Sequence, residues 1–219
     1  MTKEYSAEFR ELISDEKKIG ELIQESGVGS GTEGVLPKFE DWERQRRFIA
    51  GAINKDGTIL DVGCASGLLL KCLLEWSDYR VTPYGFDNNP KRIQLAKQLL
   101  PEHATNIVEA DVKNLDLAAK GLPKTYDFVY WNVWEDFVFQ EGSRLDAFNS
   151  ILECVRTDGR LIMGFYPNNK EEKERDLKKL DRLKKLNVSN FVFKENAQSD
   201  NIFLVYWDKN ESNNSFENE

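Results

Sequence analysis

The stretch TILDVGCASGLLL, residues 58–70, decides the fold of this chain. A short apolar run ends at Asp61, small residues follow at positions 63 and 65–67, and a second apolar run begins at Leu68. This order is typical of a buried strand that enters a tight turn and then a helix. Small residues let the backbone approach a ligand closely, and open parallel sheets bind ligands at the carboxyl ends of their strands. We therefore predict a ligand-binding turn made of Asp61, Gly63, Cys64, Ala65, Ser66 and Gly67.

The rest of the chain alternates between short apolar runs and longer amphipathic ones. Strands are predicted at residues 58–62, 80–86, 105–108, 126–132 and 160–165, and helices at 68–74, 90–100 and 145–155. Strands separated by helical crossovers indicate an α/β fold with a largely parallel sheet covered on both faces. A charged helix at 169–186 precedes two further strands, at 190–194 and 202–207, whose short connection makes them antiparallel to each other.

The composition of the two ends divides the chain into three parts. Residues 1–36 are predicted to be an amphipathic helical segment and a flexible glycine-rich linker that together form a lid. Residues 37–209, which begin with a helix from Pro37 to Ile53, form one domain, and residues 210–219 form a disordered polar tail. The linker sequence GSGTEG, residues 29–34, matches the nucleotide-binding pattern GxGxxG. Because no strand precedes this match, we interpret it as linker.

Acidic residues follow the next two predicted strands. Asp87 lies about 20 residues beyond the glycine turn, the spacing at which an acid accepts hydrogen bonds from ribose hydroxyls. Asn88 comes next, and Asn89 with Pro90 is typical of a helix cap and start. Asp111 follows the third strand and is expected over the same crevice, where its carboxylate can accept a hydrogen bond from an adenine amino group.

The motifs ILDVGCASG, GFDNNP, EADVKNL, YDFVYWNVWED and TDGRLIMGFY, in this order, resemble those of class I S-adenosylmethionine-dependent methyltransferases over residues 39–207. The resemblance implies a Rossmann-like three-layer α/β sandwich with a mostly parallel seven-stranded sheet and an antiparallel last strand. It also implies S-adenosyl-L-methionine as cofactor, with its methionine part at the glycine turn, its ribose at the second-strand acid and its adenine at the next acid. The matching positions here are Asp61, Gly63, Cys64, Ala65, Ser66 and Gly67, then Asp87 and Asn88, then Asp111 and Val112, with Asn132 from the fourth motif.

One residue of the turn and the whole fourth motif depart from the pattern of that family. Ala65 stands where the usual turn has its middle glycine, and alanine is small enough for the turn to be kept. The fourth motif, residues 132–135, lacks the Asn/Asp-Pro-Pro-Tyr/Phe form of the enzymes that methylate adenine bases. An adenine base is therefore disfavoured as the methyl acceptor.

Methyl transfer from a sulfonium is an in-line displacement, for which a protein mainly supplies position and a dry site. If a general base is used, we expect it at the end of the fourth strand, at Glu135 or Asp136. An acceptor pocket is expected to be lined by Phe39, Trp42, Arg46, Trp131 and Trp134, with Arg46 reaching a carboxylate of cofactor or acceptor. The alternatives are ordinary loop acids and core packing. Under the lid hypothesis, deletion of residues 1–34 weakens acceptor turnover more than it weakens folding.

The composition restricts the classes of partner and site. The formal net charge of −8 disfavours nucleic acid and anionic membranes, so a small-molecule acceptor is favoured over a protein side chain, and both over nucleic acid. Three cysteines without CxxC spacing and a single histidine predict free thiols and no metal site. No signal-peptide core and no apolar run of membrane-spanning length occur, so a cytoplasmic protein that does not enter membranes is expected, its oligomeric state open.

Two other classes of protein remain open at this point. Another Rossmann enzyme, such as an NAD-dependent oxidoreductase, accounts for the turn and for Asp87 equally well, but less well for Asp111 and the terminal strand pair. A binding protein that keeps the cofactor fold without catalysis has the same motifs. Turnover with a suitable acceptor separates such a protein from an enzyme.

Overall fold

Seven strands form a single sheet in the computed structural model, which describes residues 4–26, 36–133, 143–183, 188, 191–199 and 201–210. The spatial order is β3-β2-β1-β4-β5-β7-β6. Strands β1 to β5 pair parallel, whereas β7 pairs antiparallel with both β5 and β6. The expected mostly parallel sheet with an antiparallel last strand is confirmed. The strand bounds are β1 Gly57–Val62, β2 Val81–Asp87, β3 Ile107–Glu109, β4 Tyr126–Asn132, β5 Val155–Phe165, β6 Val192–Glu195 and β7 Phe203–Asp208.

Helices cover both faces of this sheet and complete the three-layer sandwich. One apolar cluster joins the first five helices to one face, and a second cluster joins the last two to the other. The described helices are α1 Ala7–Ser14, α2 Glu16–Glu25, α3 Phe39–Arg46, α4 Leu68–Trp76, α5 Pro90–Leu99, α6 Ser143–Glu153 and α7 Lys170–Leu183. No helix in these described ranges is long and apolar enough to span a membrane.

Local sequence explains where the two central helices begin. Gly67 precedes α4 with a left-handed φ of 75°, a conformation that glycine adopts without steric cost. Asn89 precedes α5, where its side chain accepts hydrogen bonds from the backbone N–H groups of Lys91 and Arg92. Pro90 then occupies the first helical position, where its missing N–H costs nothing. Both helices therefore start directly above the carboxyl ends of the strands that precede them.

The predicted bounds of two helices and of one strand were wrong. The helix expected at 145–155 ends at Glu153, and β5 begins at Val155 rather than at Arg160. The reason is that Val155 pairs with Tyr126 of β4, whose N–H donates to the Cys154 carbonyl at 2.8 Å. The helix expected from Pro37 to Ile53 is shorter, because α3 covers Phe39–Arg46 and a 3₁₀ helix covers Arg47–Ala52.

The described part of the N-terminal segment packs as part of the core. Phe9 and Ile23 are fully buried, and Ile19 is nearly so. The hydroxyl of Ser66, in the turn after β1, donates to the Leu22 carbonyl of α2 at 2.8 Å. This packing argues that α1 and α2 stabilise the fold. The glycine-rich linker predicted at residues 26–34 lies outside the described residues except for Ser26, and so does the tail predicted at residues 210–219 except for Asn210.

Candidate functional site

The turn between β1 and α4 has three left-handed residues in five positions. The φ angles are 75° at Gly63, 49° at Ala65 and 75° at Gly67. For alanine this conformation costs about 1–2 kcal/mol, so the surrounding contacts must hold Ala65 in place. Gly63 is exposed, and a Cβ built on it would meet no atom within 4 Å. The open side of Gly63 is therefore the face that the turn offers to a ligand.

Hydrogen bonds inside the protein occupy most of the N–H groups of this turn. Gly63 and Cys64 both donate to the Phe86 carbonyl at 2.9 Å, and Gly67 donates to the Cys64 carbonyl at 2.8 Å. The side chain of Cys64 is buried under β2, and burial raises the pKa of its thiol well above the usual value. The turn thus meets a ligand mainly with backbone surface, and Cys64 contributes shape without a reactive thiolate.

Asp87 ends β2 and is 5% exposed. Its Oδ2 atom accepts a hydrogen bond from the Ala65 N–H at 3.1 Å, and its Oδ1 atom accepts one from the Asn89 N–H at 2.9 Å. A carboxylate has about four acceptor positions, so each oxygen keeps one for ligand hydroxyls. Asp87 is therefore held rigidly between two turns with acceptor capacity left over, as the ribose-binding prediction requires.

Asp61, at the carboxyl end of β1, is a buried carboxyl group. It is 4% exposed, and among the described residues no side chain or N–H donates a hydrogen bond to it. Burial, and then the charge of nearby Asp87, raises its pKa from 3.8 to about 8. The ligand-free carboxyl therefore keeps its proton at neutral pH, and a cationic ligand group beside it would favour the carboxylate.

The remaining predicted cofactor residues lie at or just after the carboxyl ends of β2, β3 and β4 and differ in exposure. Asp111 is exposed, and its Oδ1 atom accepts the Lys113 N–H at 2.9 Å, as a cap of a short 3₁₀ turn. Next to it, Val112 is buried. The Ala110 N–H donates to the Asp87 carbonyl, which brings this loop to the end of β2. Asn88 is exposed and Asn132 is half-buried at the end of β4.

Arg46 lies between two aromatic rings at the end of α3. Its Cζ atom is 4.9 Å from the ring centroid of Trp42 and 4.6 Å from that of Tyr166. The residue is 4% exposed, and its Nη1 atom donates to the Gln45 Oε1 atom at 3.2 Å. Its Nη2 atom and the Trp42 Nε1 atom are buried without a hydrogen-bond partner among the described residues. Two neighbouring donors thus lack acceptors.

Tyr130 of β4 and Tyr166, just after β5, are joined by a hydrogen bond of 2.9 Å between their hydroxyls. Gly164 makes room for them, because a Cβ there would lie 2.5 Å from the Tyr130 hydroxyl and 2.9 Å from the Tyr166 ring. Burial raises the pKa of both phenols, and the charge of Arg46 opposes this rise. Sequence reasoning missed both tyrosines, because a tyrosine inside an apolar strand gives no signal of its partner.

Asn196, in the turn between β6 and β7, was also missed. It is 5% exposed, and its Nδ2 atom donates to the Arg44 and Gln45 carbonyls at 3.0 and 3.2 Å. Its Oδ1 atom accepts the Gln198 N–H at 2.8 Å. The terminal strand pair therefore fixes the end of α3, next to Arg46.

The structure separates Trp131 from the other described residues predicted for the acceptor pocket. Trp42 and Arg46 lie together, and the Phe39 ring stacks on that of Trp42 at 6.1 Å and lies 5.8 Å from that of Phe9 in the core. Trp131 is fully buried on the opposite face of the sheet, 6.2 Å from the Phe148 ring, so it has no surface to offer an acceptor. Trp134, Glu135 and Asp136 lie outside the described residues. No described group of three His, Cys, Asp or Glu side chains is placed to hold a metal ion.

A family model described as a methyltransferase domain matches residues 38–189 of this chain. The match begins just before α3 and runs beyond α7, so it includes all of the strands that carry the turn, Asp87 and Asp111. No curated protein is significantly similar to the chain in sequence.

Solved structures share this fold at low sequence identity. The N-methyltransferase NodS from Bradyrhizobium japonicum, in complex with S-adenosyl-L-homocysteine, superposes with a TM-score of 0.55 at 14% identity, covering 86% of this chain and 96% of that one. A possible histamine N-methyltransferase from Thermotoga maritima gives 0.52 at 14% identity, with coverages of 78% and 94%. A ribosomal protein methylase from Lactobacillus delbrueckii gives 0.54 at 15% identity, with coverages of 78% and 79%.

Proposed function

Because the chain belongs to the class I S-adenosylmethionine-dependent methyltransferases, with S-adenosyl-L-methionine as cofactor, we propose that it methylates an oxygen or nitrogen atom of a small molecule. The observation that carries the proposal is the pairing of the strained turn after β1 with the anchored Asp87 after β2. Both stand at the carboxyl edge of the sheet, where open parallel sheets bind nucleosides.

The residues at this edge fit the cofactor. The open side of Gly63 leaves room for a ligand against the turn, and Asp87 retains acceptor positions for ribose hydroxyls. Asp61 is a buried acid that receives no hydrogen bond from the described residues, and it suits the ammonium of an amino-acid group. Asp111 and Val112 are proposed to border the adenine, with Asn88 and Asn132 at the sides of the site.

When bound, S-adenosylmethionine supplies an electrophilic methyl group on a sulfonium, together with its own leaving group. The residues of the chain then have three tasks, which are to orient the ligands, to exclude water and to accept a proton where the acceptor carries one. Asp87 and the turn are proposed to orient the cofactor, since both are fixed by hydrogen bonds within the protein. Trp42 and the Tyr130–Tyr166 pair give the site a largely buried aromatic side.

The proton acceptor is proposed to be Glu135 or Asp136, in the segment that follows β4. Substitution of each by its amide tests this assignment. A rate that falls at low pH in the parent protein and loses that dependence in one variant identifies the base. Equal pH profiles in the parent and in both variants would mean that the acceptor reacts without a general base.

A small-molecule acceptor is supported by the charge of the protein and by the burial of Trp42 and Arg46. A net charge of −8 disfavours nucleic acid, and both side chains lie inside the protein rather than on an open surface that a protein acceptor could cover. The solved structures do not fix the acceptor, since they include a possible histamine N-methyltransferase and a ribosomal protein methylase. A protein acceptor is the second candidate.

Calorimetric titration with S-adenosylhomocysteine, with NAD in a parallel cell, tests the proposal. We expect saturable binding of S-adenosylhomocysteine alone, and its loss in Asp87→Ala. Binding of NAD alone would contradict the proposal. With cofactor binding established, transfer of a labelled methyl group to pools of small molecules, against pools of peptides, decides the acceptor class.

A further inference from the structure

A groove of about 870 Å³ lies between the N-terminal helices and α5. One wall consists of residues of α1 and α2, the other consists of residues of α5, and Lys71 of α4 also lines it. Among the residues that the structure describes, none assigned above to the cofactor or to the acceptor belongs to this lining. The groove is therefore a second concave surface, separate from the proposed methyl-transfer site.

Leucines form the apolar part of this groove. Leu95 and Leu99 are half-buried and stand four positions apart on α5, so both side chains lie on one face of that helix. Leu12 of α1 and Leu22 of α2 belong to the other wall and are 8% and 6% exposed. Two helical walls with apolar side chains between them are the geometry in which a third helix docks through its own apolar face.

Acidic side chains dominate the rim of the groove. Five carboxylates and three lysines belong to the lining. Two of these lysines are already in ion pairs, Lys71 with Glu8 at 2.7 Å and Lys91 with Glu25 at 2.5 Å. The charged residues that these two pairs leave are Glu11, Asp15, Glu21 and Lys18. The rim therefore carries a net negative charge, which attracts lysine and arginine side chains and repels the phosphates of nucleic acids and anionic lipids.

The exposure of the polar side chains favours a protein partner over a small ligand. All of the polar side chains that line the groove are exposed or half-buried. Sites for small molecules enclose most of the ligand and fix its orientation with a few convergent polar groups. Exposed charges around an apolar centre are instead the arrangement of a protein–protein interface, in which a polar rim stays in contact with water.

We infer that this groove docks a basic amphipathic helix of a partner protein. The apolar face of that helix packs against the four leucines, and its lysine or arginine side chains reach Glu11 and Glu21 at the rim. Helices α2 and α5 have 10 residues each, which corresponds to a length of about 15 Å. Walls of this length accommodate about three turns of the docked helix.

A designed peptide tests the inference on the full chain. The probe is an amphipathic helix of about 14 residues, with leucines on one face and lysines on the other. The reference is a scrambled peptide of the same composition. Fluorescence anisotropy measures both affinities, and we expect the ordered peptide to bind about fivefold more tightly than the scrambled one. A third peptide, in which glutamate replaces every lysine, should not bind.

The apolar part of the groove is tested by Leu95→Gln. This variant removes an apolar contact with the docked helix and should weaken binding of the ordered peptide about tenfold. The matched control is Val192→Gln, which changes an exposed apolar residue of β6 and should leave the affinity unchanged. Melting temperatures show whether both variants keep the fold.

The rim is tested by the double variant Glu11→Gln/Glu21→Gln. Both side chains are exposed, so the variant serves even where Leu95→Gln does not fold. Loss of the two charges should weaken binding of the ordered peptide about fivefold. The control is Glu16→Gln/Glu40→Gln, which removes two exposed charges outside the groove and should have no effect.

Three results would overturn the inference. The first is a parent protein that does not bind the ordered peptide. The second is equal affinity for the ordered and scrambled peptides, or an equal loss in the groove variants and their controls, since either means a general attraction to an acidic surface. The third is a parent dimer, seen by light scattering, that Leu95→Gln converts to monomers, because a second copy of the chain then fills the groove. None of these measurements involves the cofactor, so the proposed function stands or falls separately.

Discussion

The Oδ2 atom of Asp87 accepts a hydrogen bond from the backbone N–H of Ala65 at 3.1 Å. This bond links the acid after β2 to the left-handed centre of the turn after β1, 22 residues earlier in the chain. It therefore couples two parts of the proposed cofactor site that the sequence shows only as separate motifs. A change at either residue is expected to affect the position of the other.

Asp87→Ala is expected to weaken S-adenosylhomocysteine binding by about 100-fold or more, because it removes the ribose acceptor and releases Ala65 from its anchor. Asp87→Asn keeps the size and can keep one acceptor oxygen, so its loss should be smaller. Calorimetry measures both, and circular dichroism shows whether the fold is retained. Glu102→Gln, an exposed acid beyond α5, is the control. An Asp87→Ala protein that folds and binds normally would remove Asp87 from the site.

Asp61 makes the stability of the ligand-free protein depend on pH. Its pKa is about 8 in the folded protein and 3.8 in the unfolded chain, so between these values the folded state holds a proton that the unfolded state has released. Stability from this group is therefore full below about pH 4 and is lost as the pH rises through about 8. Thermal melting of Asp61→Asn should show a shallower decline over this range than the parent. If the melting temperatures of the parent protein and of Asp61→Asn depended on pH in the same way, the raised pKa of Asp61 would be contradicted.

The same acid should make cofactor binding depend on pH. If the carboxylate form of Asp61 pairs with the ammonium of S-adenosylhomocysteine, the affinity rises by up to about tenfold per pH unit until the pH nears 8. Asp61→Asn should bind more weakly and lose the dependence. Calorimetry at pH 6, 7 and 8 in buffers of different ionisation enthalpy measures the affinity and the proton released. No proton release below pH 8 would show that Asp61 stays protonated in the complex.

Ala65→Gly is expected to be close to neutral for stability, within about 1 kcal/mol. Glycine relieves the strain of the left-handed φ of 49° but adds freedom to the unfolded chain. Cofactor affinity should be kept. Ala65→Val is the opposing variant, because a β-branched residue is strongly disfavoured in this conformation. Urea unfolding measures both, and a large stability loss in Ala65→Gly would mean that the methyl group packs where glycine cannot.

The bond from Ser66 to Leu22 predicts that α1 and α2 act on stability. Ser66→Ala removes this hydrogen bond while the Leu22 carbonyl still accepts the Ser26 N–H, and it should cost about 1 kcal/mol. Phe9→Ala should cost about 3–5 kcal/mol, because the ring is fully buried. Deletion of residues 1–34 should then lower the melting temperature strongly. A deleted protein that melts like the parent but turns over slowly would support the lid hypothesis instead.

Asn196→Ala is expected to weaken ligand binding at Arg46 without touching any ligand. It removes two hydrogen bonds to the end of α3, so the guanidinium loses a fixed position. Asn196→Asp keeps the acceptor for the Gln198 N–H but loses both donors, and it separates the turn from the contact with α3. We expect both variants to lower the affinity that depends on Arg46. An unchanged affinity in both would show that the packing of Trp42 alone positions Arg46.

The sequence predicted the sheet and the tight turn after its first strand, because these follow from local patterns. The strand at 58–62, the turn at Gly63 and the acid at Asp87 are each recognisable from a few consecutive residues. The early start of β5 was missed, since Val155 is placed by its pairing with Tyr126, a contact between distant segments. Contacts between distant segments also explain what was missed around Arg46.

The acceptor side depends on contacts that no local pattern contains. Trp42 and Arg46 were predicted from their place on the helix before the first strand. Tyr166 contacts Arg46, and Asn196 contacts the neighbouring Arg44 and Gln45 carbonyls, from the far end of the chain. Trp131 was expected in the acceptor pocket, but its side chain lies on the opposite face of the sheet. The sequence could not show this, because an aromatic residue near the fourth motif is compatible with either face of the strand. A single residue in a buried strand does not reveal which helix layer covers it.

The bonds of Asn196 also impose an order on how the protein matures. Asn196 and its acceptor on Arg44 are 152 residues apart, so during synthesis the end of α3 leaves the ribosome long before Asn196 does. Strands β1 to β5, Asp87 and Asp111 all precede the terminal hairpin in the chain. Because a domain folds as a unit, the end of α3 is held in place only once the hairpin has left the ribosome and β7 has paired with β5. A chain truncated before β6 would therefore keep the glycine turn and both acids but leave the Arg44 and Gln45 carbonyls without the amide that holds them.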